Sequence, residues 1–318
     1  MNNKSRVILI DNGILMFRSI FSWNNAVQAN RQKLSNLKGQ LMELNACGRI
    51  YKNDEHVQEL TEEIQKLSKN IKQVIPATWL YLASLVANLK RVGFNKEDKV
   101  IIAVDSKHGS WRKDIERQYK GNRKAKRQSF PDIDWNQMFY DFNRLLNRLK
   151  YSTPFKIIVI KKLEADDIIS VSCRFFTEQE IIIVSYDKDF EQLLSMPNVK
   201  IFSPKSKKYK FVKDPYKSLA QKIRREASDN LVTPILNEKD YEKRKMIVSL
   251  LELPNWVEEQ VRFKLSSLDF NNGQFKLQLI PFQSIQKRIN NIYKKDKVVN
   301  YENCLKKFNN KNKRRKKK

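Results

Sequence analysis

Between Leu163 and Leu193, Glu164, Asp166, Asp167, Asp187 and Asp189 put five carboxylates at two chain turns. In a chain with 63 Lys and Arg against 35 Asp and Glu, a net charge of +28, that concentration needs a reason. Clustered hard oxygen donors suit magnesium or manganese. Glu164-Ala165-Asp166-Asp167 opens the apolar periodicity of Ile168, Ile169, Val171 and Phe175 as a helix start does, where acids are favoured by the dipole. Glu164 and Asp167 share a helical face, and Asp166 joins them only if the first turn itself points at the site. Asp187 and Asp189 follow Ile181 to Val184, which reads as a buried parallel strand, and their i, i+2 spacing aims both one way.

The same construction occurs twice more. Val7 to Ile10 is an apolar run closed by Asp11, and Val100 to Val104 is closed by Asp105. In an open parallel sheet ligands sit outside the carboxyl ends of the strands, so Asp11, Asp105 and Asp187 are expected to converge on one crevice. A single acid after a strand is ordinarily a helix N-cap. Three of them beside Glu164 and Asp166 argue for a common purpose. Two divalent ions about 4 Å apart, held by such a set, activate a water and stabilise a leaving 3'-oxygen during in-line attack on a phosphodiester.

Strands and helices alternate around these acids. Ile14, Phe17 and Ile20 resume at helical spacing after Asn12-Gly13. Pro76 starts an apolar helix through Leu89 whose Trp79, Leu82 and Val86 belong in a core, Ile133 to Leu149 reads as an amphipathic helix, and Phe155 to Ile160 as a strand. This pattern predicts a doubly wound, mostly parallel α/β sheet. Within residues 28–74, Leu34, Leu37, Leu41 and Leu44, then Val57, Leu60, Ile64, Leu67 and Ile71, predict an antiparallel helical hairpin broken near Cys47-Gly48 and Asn53-Asp54. It is either a decoration packed on itself or on a partner, or an arm that touches DNA; His56 there has no ligand-spaced companion. Glu238 to Leu251 and Trp256 to Leu268 read as helices of a C-terminal lobe, residues 206–305, after a main domain of residues 1–205. Residues 306–318 read as a disordered basic tail.

The charge points to a polyanionic partner. No segment offers the roughly 20 apolar residues that span a bilayer, so nucleic acid fits better than membrane. Lys107 to Arg127 holds nine Lys or Arg against two acids, with Trp111 and Tyr119 interleaved. It reads either as a solvated basic loop or as a segment for phosphate neutralisation and base stacking, with Arg112, Lys113, Tyr119, Lys120, Arg123 and Lys124 as the contacts. His108 beside it lacks metal-site spacing. Cys47, Cys173 and Cys304 lack CxxC spacing and the N-terminus opens on a strand-like run, which points to an intracellular, reducing location.

Asp105 with Trp111-Arg112 and Tyr119-Lys120-Gly121-Asn122-Arg123, then Glu164-Ala165-Asp166-Asp167, then Ser185-Tyr186-Asp187-Lys188-Asp189-Phe190, together resemble the 5'-nuclease (flap endonuclease) superfamily, most closely its T-even bacteriophage ribonuclease H branch. The resemblance covers residues 6–23 and 76–265. It implies a PIN-like nuclease domain with a basic arch over residues 107–130 and a helical DNA-binding lobe. It places a first metal site on Asp11, Asp105, Glu164, Asp166 and Asp187. A second site would use Asp189, in part Asp167, and the downstream acids Glu226 and Asp229. The cofactor implied is two Mg2+ ions, with Mn2+ substituting. Lys120 and Arg123 match the family's basic residues at the base of the arch, which hold the scissile phosphate and act with Asp166 in catalysis. The implied activity is 5'-to-3' exonuclease, flap endonuclease and ribonuclease H cleavage of RNA/DNA and DNA/DNA duplexes and forked or flap DNA, in removal of lagging-strand RNA primers. The resemblance also implies a monomer and contacts with a single-stranded-DNA-binding protein and a sliding clamp. Two other readings stay open: a PIN-type ribonuclease of single-stranded RNA, and a noncatalytic fork-binding module.

Overall fold

A computed structural model describes residues 5–46, 55–72, 74–224, 229, 231, 234–270, 275–276, 283, 286–287 and 300–316. Its centre is a six-stranded sheet. The strands are β1 (Val7–Asp11), β2 (Lys99–Ala103), β3 (Lys156–Ile158), β4 (Ile181–Val184), β5 (Val199–Ser203) and β6 (Lys208–Lys210), in the order β3-β2-β1-β4-β5-β6. The first five are parallel and β6 is antiparallel to β5. The inner strands are apolar at every position because both faces are covered. Ile8, Ile10, Val100, Ile102, Ile182 and Val184 face one core, while Val7, Leu9, Ile101, Ala103, Ile181 and Ile183 face the other. The doubly wound reading therefore holds, with strand period two sorting residues between the layers.

The first core is roofed by α1 (Asn12–Ala46), α3 (Ala77–Arg91) and α6 (Trp135–Ser152). Leu82 and Val86 of α3 are buried and Trp79 packs at the edge, as expected. The second core is roofed by α7 (Ala165–Phe175) and α10 (Asn255–Ser266), the latter through Val257, Val261 and Leu265. Between them in sequence lie α8 (Pro215–Arg224) and α9 (Glu238–Val248), whose Leu219, Ile223, Ile247 and Val248 form a small third cluster with Tyr119 and Leu231.

Three boundaries differ from expectation. The hairpin does not begin at residue 28: α1 runs unbroken for 35 residues from the end of β1, and α2 (Glu55–Lys72) returns along it, with Leu37, Leu60 and Leu67 packed between. The apolar stripe of the insertion continues the helical phase of Leu15 and Ile20, so nothing stops the helix. The main sheet extends past residue 205, because β6 pairs back on β5 with Ser203 opposite Lys208. The basic tail is helical through Lys316 in α11 (Tyr301–Lys316), anchored where Tyr301 and Phe308 meet Phe211.

Candidate active site

Neighbouring strands move the chain to opposite sides of β1: β2 lies on one side and β4 on the other. The crevice at such a switch point opens at the carboxyl ends of the strands. Asp11 ends β1, Asp105 follows β2 by two residues, and Asp187 follows β4 by three. Asp11 Oδ1 accepts the amide of Ile14 at 3.3 Å, and its Oδ2 accepts the Ser185 hydroxyl at 3.0 Å. Ser185 Oγ in turn accepts the Asp187 amide at 3.0 Å, and Asp187 Oδ1 accepts the Asp189 amide at 3.0 Å. Asp105 Oδ1 accepts the Ala165 amide at 2.8 Å, which ties it to the first turn of α7. A Cβ at Gly13 would stand 3.5 Å from Asp11 Oδ1 and 3.8 Å from Asp105 Oδ2, so glycine keeps both carboxylates uncovered there.

Burial and the charges of Asp105 and Asp187 push the Asp11 carboxyl up to about 7, against its hydrogen bonds from Ile14 and Ser185. Mutual repulsion of this kind is what a bound cation relieves.

Glu164 caps α7, and Asp167 completes a capping box by accepting the Glu164 amide at 2.9 Å. Asp167 also accepts the Trp111 indole N–H at 3.1 Å and pairs with Arg112 at 2.8 Å. It is 0% exposed. Its Oδ2 is taken by the helix start and the Trp111 indole and its Oδ1 faces Arg112, which argues against its assignment as a partial second-site ligand. Burial opposes ionisation of Glu164, but Lys120 at 2.7 Å, Arg112 at 3.1 Å and the Tyr119 hydroxyl at 2.9 Å bring its carboxyl down to about 2. Asp166 faces the crevice with its side chain 19% exposed and Arg112 3.8 Å away. Burial drives its carboxyl well above the usual range, Glu164 and Asp167 adding to this against Arg112.

The basic segment divides in two. Arg112 is 1% exposed and also donates to the Ile247 carbonyl at 2.8 Å, while Trp111 and Tyr119 are 3% and 2% exposed. Arg112 and Tyr119 therefore do not contact nucleic acid, and Trp111 offers no base a stacking face: they form the buried frame that holds the acids. Lys113, Arg123 and Lys124 are exposed, the first in α4 (Arg112–Ile115) and the others at the start of α5 (Arg123–Gln128). Lys120 lies between the two groups, its φ of 54° in the left-handed region and its amide donating to the Asp229 carbonyl at 2.8 Å. Asp189 pairs with Lys222 of α8. Burial raises its carboxyl, with Asp187 and Asp229 adding to this against Lys222. Glu226 lies outside the described residues.

Sequence reading gave Ser185, Lys222 and Lys210 no contact with the acid set. Ser185 stands directly after the β4 run and Lys222 one helical turn before Glu226, spacings that carried a signal. Lys210 donates to the carbonyls of Tyr186 and Asp187, each at 3.0 Å, and only the pairing of β6 with β5 brings it there.

The donor set is all carboxylate, which fits a hard divalent ion. Among the described residues no three acidic, His or Cys side chains stand gathered as a ready cage, so the acids are spread along the strand ends.

Acids along the switch point of a doubly wound, mostly parallel sheet define a PIN-like α/β nuclease fold. Residues 6–224 match the model for the 5'-3' exonuclease, N-terminal resolvase-like domain, and the chain belongs to that family of phosphodiester hydrolases. It is 30% identical over 241 residues to a ribonuclease H of Enterobacteria phage T4, covering 71% of this chain and 77% of that one. It is 28% identical over 202 residues to a 5'-3' exonuclease of Buchnera aphidicola, covering 63% of this chain and 52% of that one. A solved bacteriophage T5 flap endonuclease, a pseudo-enzyme–product complex with DNA and metal ions, is 15% identical with a TM-score of 0.46, covering 90% of this chain and 97% of that one. No helix of the described residues is long and apolar enough to cross a membrane.

Proposed function

We propose that this 5'-to-3' exonuclease and flap endonuclease depends on divalent metal, Mg2+ or Mn2+, cleaves RNA/DNA as well as DNA/DNA duplexes, and removes RNA primers inside the cell during lagging-strand synthesis. The observation that carries this reading is the gathering of Asp11, Asp105 and Asp187 at the carboxyl ends of β1, β2 and β4, where burial and the other two charges raise the Asp11 carboxyl. Asp11, Asp105, Asp166 and Asp187 hold the first ion, and Glu164 reaches it only by sharing an oxygen with Lys120. Asp189, Glu226 and Asp229 hold the second. When bound, the ions supply water activation and stabilisation of the leaving 3'-oxygen.

The chain's own cations do the rest. Lys120 and Arg123 hold the scissile phosphate, and exposed Lys113 and Lys124 neutralise its neighbours. Arg112 pairs with Glu164 and Asp167 beneath the site. The lobe from α8 onward grips duplex phosphates, a single-stranded-DNA-binding protein and a sliding clamp dock at the fork, and the protein acts as a monomer.

The test is release of 5'-labelled product from an RNA-primed DNA duplex and from a 5' flap, with Mg2+ or EDTA, for wild type and Asp166→Asn. Short 5' products that require the ion and vanish in the variant, with duplex binding retained, are expected. Tight fork binding without cleavage under Mg2+ or Mn2+ overturns the reading.

A further inference from the structure

The outer face of α6 takes no part in the site described above. Its inner face buries Phe142, Leu145, Leu146 and Leu149. Outward, Tyr140, Arg144, Arg148 and Tyr151 follow one another at i, i+4, i+8 and i+11, one line along the helix. Tyr140 is 57% exposed and Tyr151 69%. Each ring has a cation beside it, Arg144 at 5.7 Å from the Tyr140 centroid and Lys150 at 5.9 Å from that of Tyr151. Asn143 and Asn147 complete the exposed face.

The charge on this face is one-sided. From Phe142 to Leu163 the sequence contains no acid. The one acid of α6, Asp141, accepts the Gln137 side-chain amide at 3.0 Å. Arg144, Arg148 and Lys150 have no carboxylate partner among the described residues. At its start α6 is joined to the exposed basic segment: the Trp135 indole donates to the Arg127 carbonyl at 2.9 Å, and Arg127 lies 5.9 Å from the Phe139 centroid. The helix then runs from the acidic edge of the sheet back to the start of β3.

We propose that this face is a track for single-stranded nucleic acid, with Tyr140 and Tyr151 stacking bases and Arg144, Arg148 and Lys150 taking phosphates. Exposed aromatic faces interleaved with unpaired cations match a strand whose bases are free to stack, and every base has such a face, so the track is indifferent to sequence. A duplex keeps its base faces inside and leaves both tyrosines idle. The two rings sit about 16 Å apart along the helix, the span of a few nucleotides. The inference goes beyond the nuclease reading and does not need it, because binding is read without hydrolysis.

The experiment is fluorescence anisotropy in EDTA, with labelled oligo-dT of about 15 nucleotides and a blunt duplex of the same length. The Tyr140→Ala/Tyr151→Ala variant is expected to bind the single strand about 10- to 100-fold more weakly, while duplex affinity changes less than about twofold. Both positions are exposed and alanine favours helix, so the fold is retained. Tyr140→Phe/Tyr151→Phe keeps the stacking faces and is expected to bind within about threefold of wild type. Arg144→Ala/Arg148→Ala lowers the slope of log affinity against log salt by about 1.4 for the single strand. The proposal is overturned if the alanine variant binds oligo-dT like wild type, or loses single strand and duplex equally. It is also overturned if polyglutamate displaces the label as well as unlabelled oligo-dT does, which would make the face a site for an acidic polypeptide.

Discussion

Lys120 Nζ stands 2.7 Å from Glu164 Oε1, and the backbone of the same lysine donates to the Asp229 carbonyl at 2.8 Å. One residue thus ties an acid at the head of α7 to an acid some sixty positions downstream. Its ammonium is nearer to Glu164 than the Arg112 guanidinium is, at 2.7 Å against 3.1 Å.

Replacing that cation with Lys120→Ala is expected to slow single-turnover cleavage by about 10²- to 10³-fold, since a positioned charge at the reacting phosphate is lost. Duplex affinity should change little. Glu164 also loses the ammonium that, with Arg112, brings its carboxyl down to about 2. An unchanged rate would remove Lys120 from the machinery.

Arg112 and Lys113 are adjacent basic residues with opposite fates. Arg112→Ala leaves Glu164 and Asp167 as buried acids short of a partner and should cost about 3–5 kcal/mol in urea unfolding. Lys113→Ala should stay within about 0.5 kcal/mol of wild type. It should instead flatten the salt dependence of duplex binding by about 0.9.

Asp166 and Asp167 separate in the same way. Asp166→Asn should abolish cleavage without loss of melting temperature, because it removes a carboxyl that burial already disfavours in charged form. Asp167→Asn should destabilise by several kcal/mol, on the order of a broken buried pair, since it weakens both the capping box and the Arg112 pair.

Without divalent ions, stability should fall as pH rises. The Asp11 carboxyl is raised from the ordinary 3.8 to about 7 in the folded protein. The folded state therefore holds that proton more tightly. Its contribution is fully present below the unfolded value and lost as pH climbs through about 7, a change on the order of 4 kcal/mol. Melting in EDTA between pH 4 and 8 checks the slope. Asp11→Asn should reduce this slope, leaving the part that Asp166 and Asp189 contribute, and melt higher than wild type at pH 8; equal slopes for the two proteins would contradict the assignment.

The sheet was legible because strand period and strand-end acids are local signals. Val7 to Ile10, Val100 to Ala103 and Ile181 to Val184 are apolar at every position, as a parallel strand covered on both faces must be. The roles of the basic stretch were not legible, because local charge density does not reveal burial. Arg112, Trp111 and Tyr119 looked like phosphate and base contacts and prove to be interior partners of Glu164 and Asp167. Their partners lie 45 to 56 residues away in sequence, at the start of α7. The helical state of residues 306–316 was hidden for the opposite reason, since composition outweighed the two rings, Tyr301 and Phe308, that anchor the helix.

The 35 residues of α1 reach about 52 Å at the usual helical rise, against about 17 Å for a five-residue strand. One end of this rod begins at Asp11, and the other carries the far half of the leucine seam. Because the insertion prolongs a helix instead of interrupting it, length can be added there without adding a joint. Seven residues gained in each arm would keep the seam in phase and move the tip outward by about 10 Å. Reach is thus uncoupled from chemistry: the arm can lengthen, and hydrodynamic drag rise with it, while the acidic edge stays as it is.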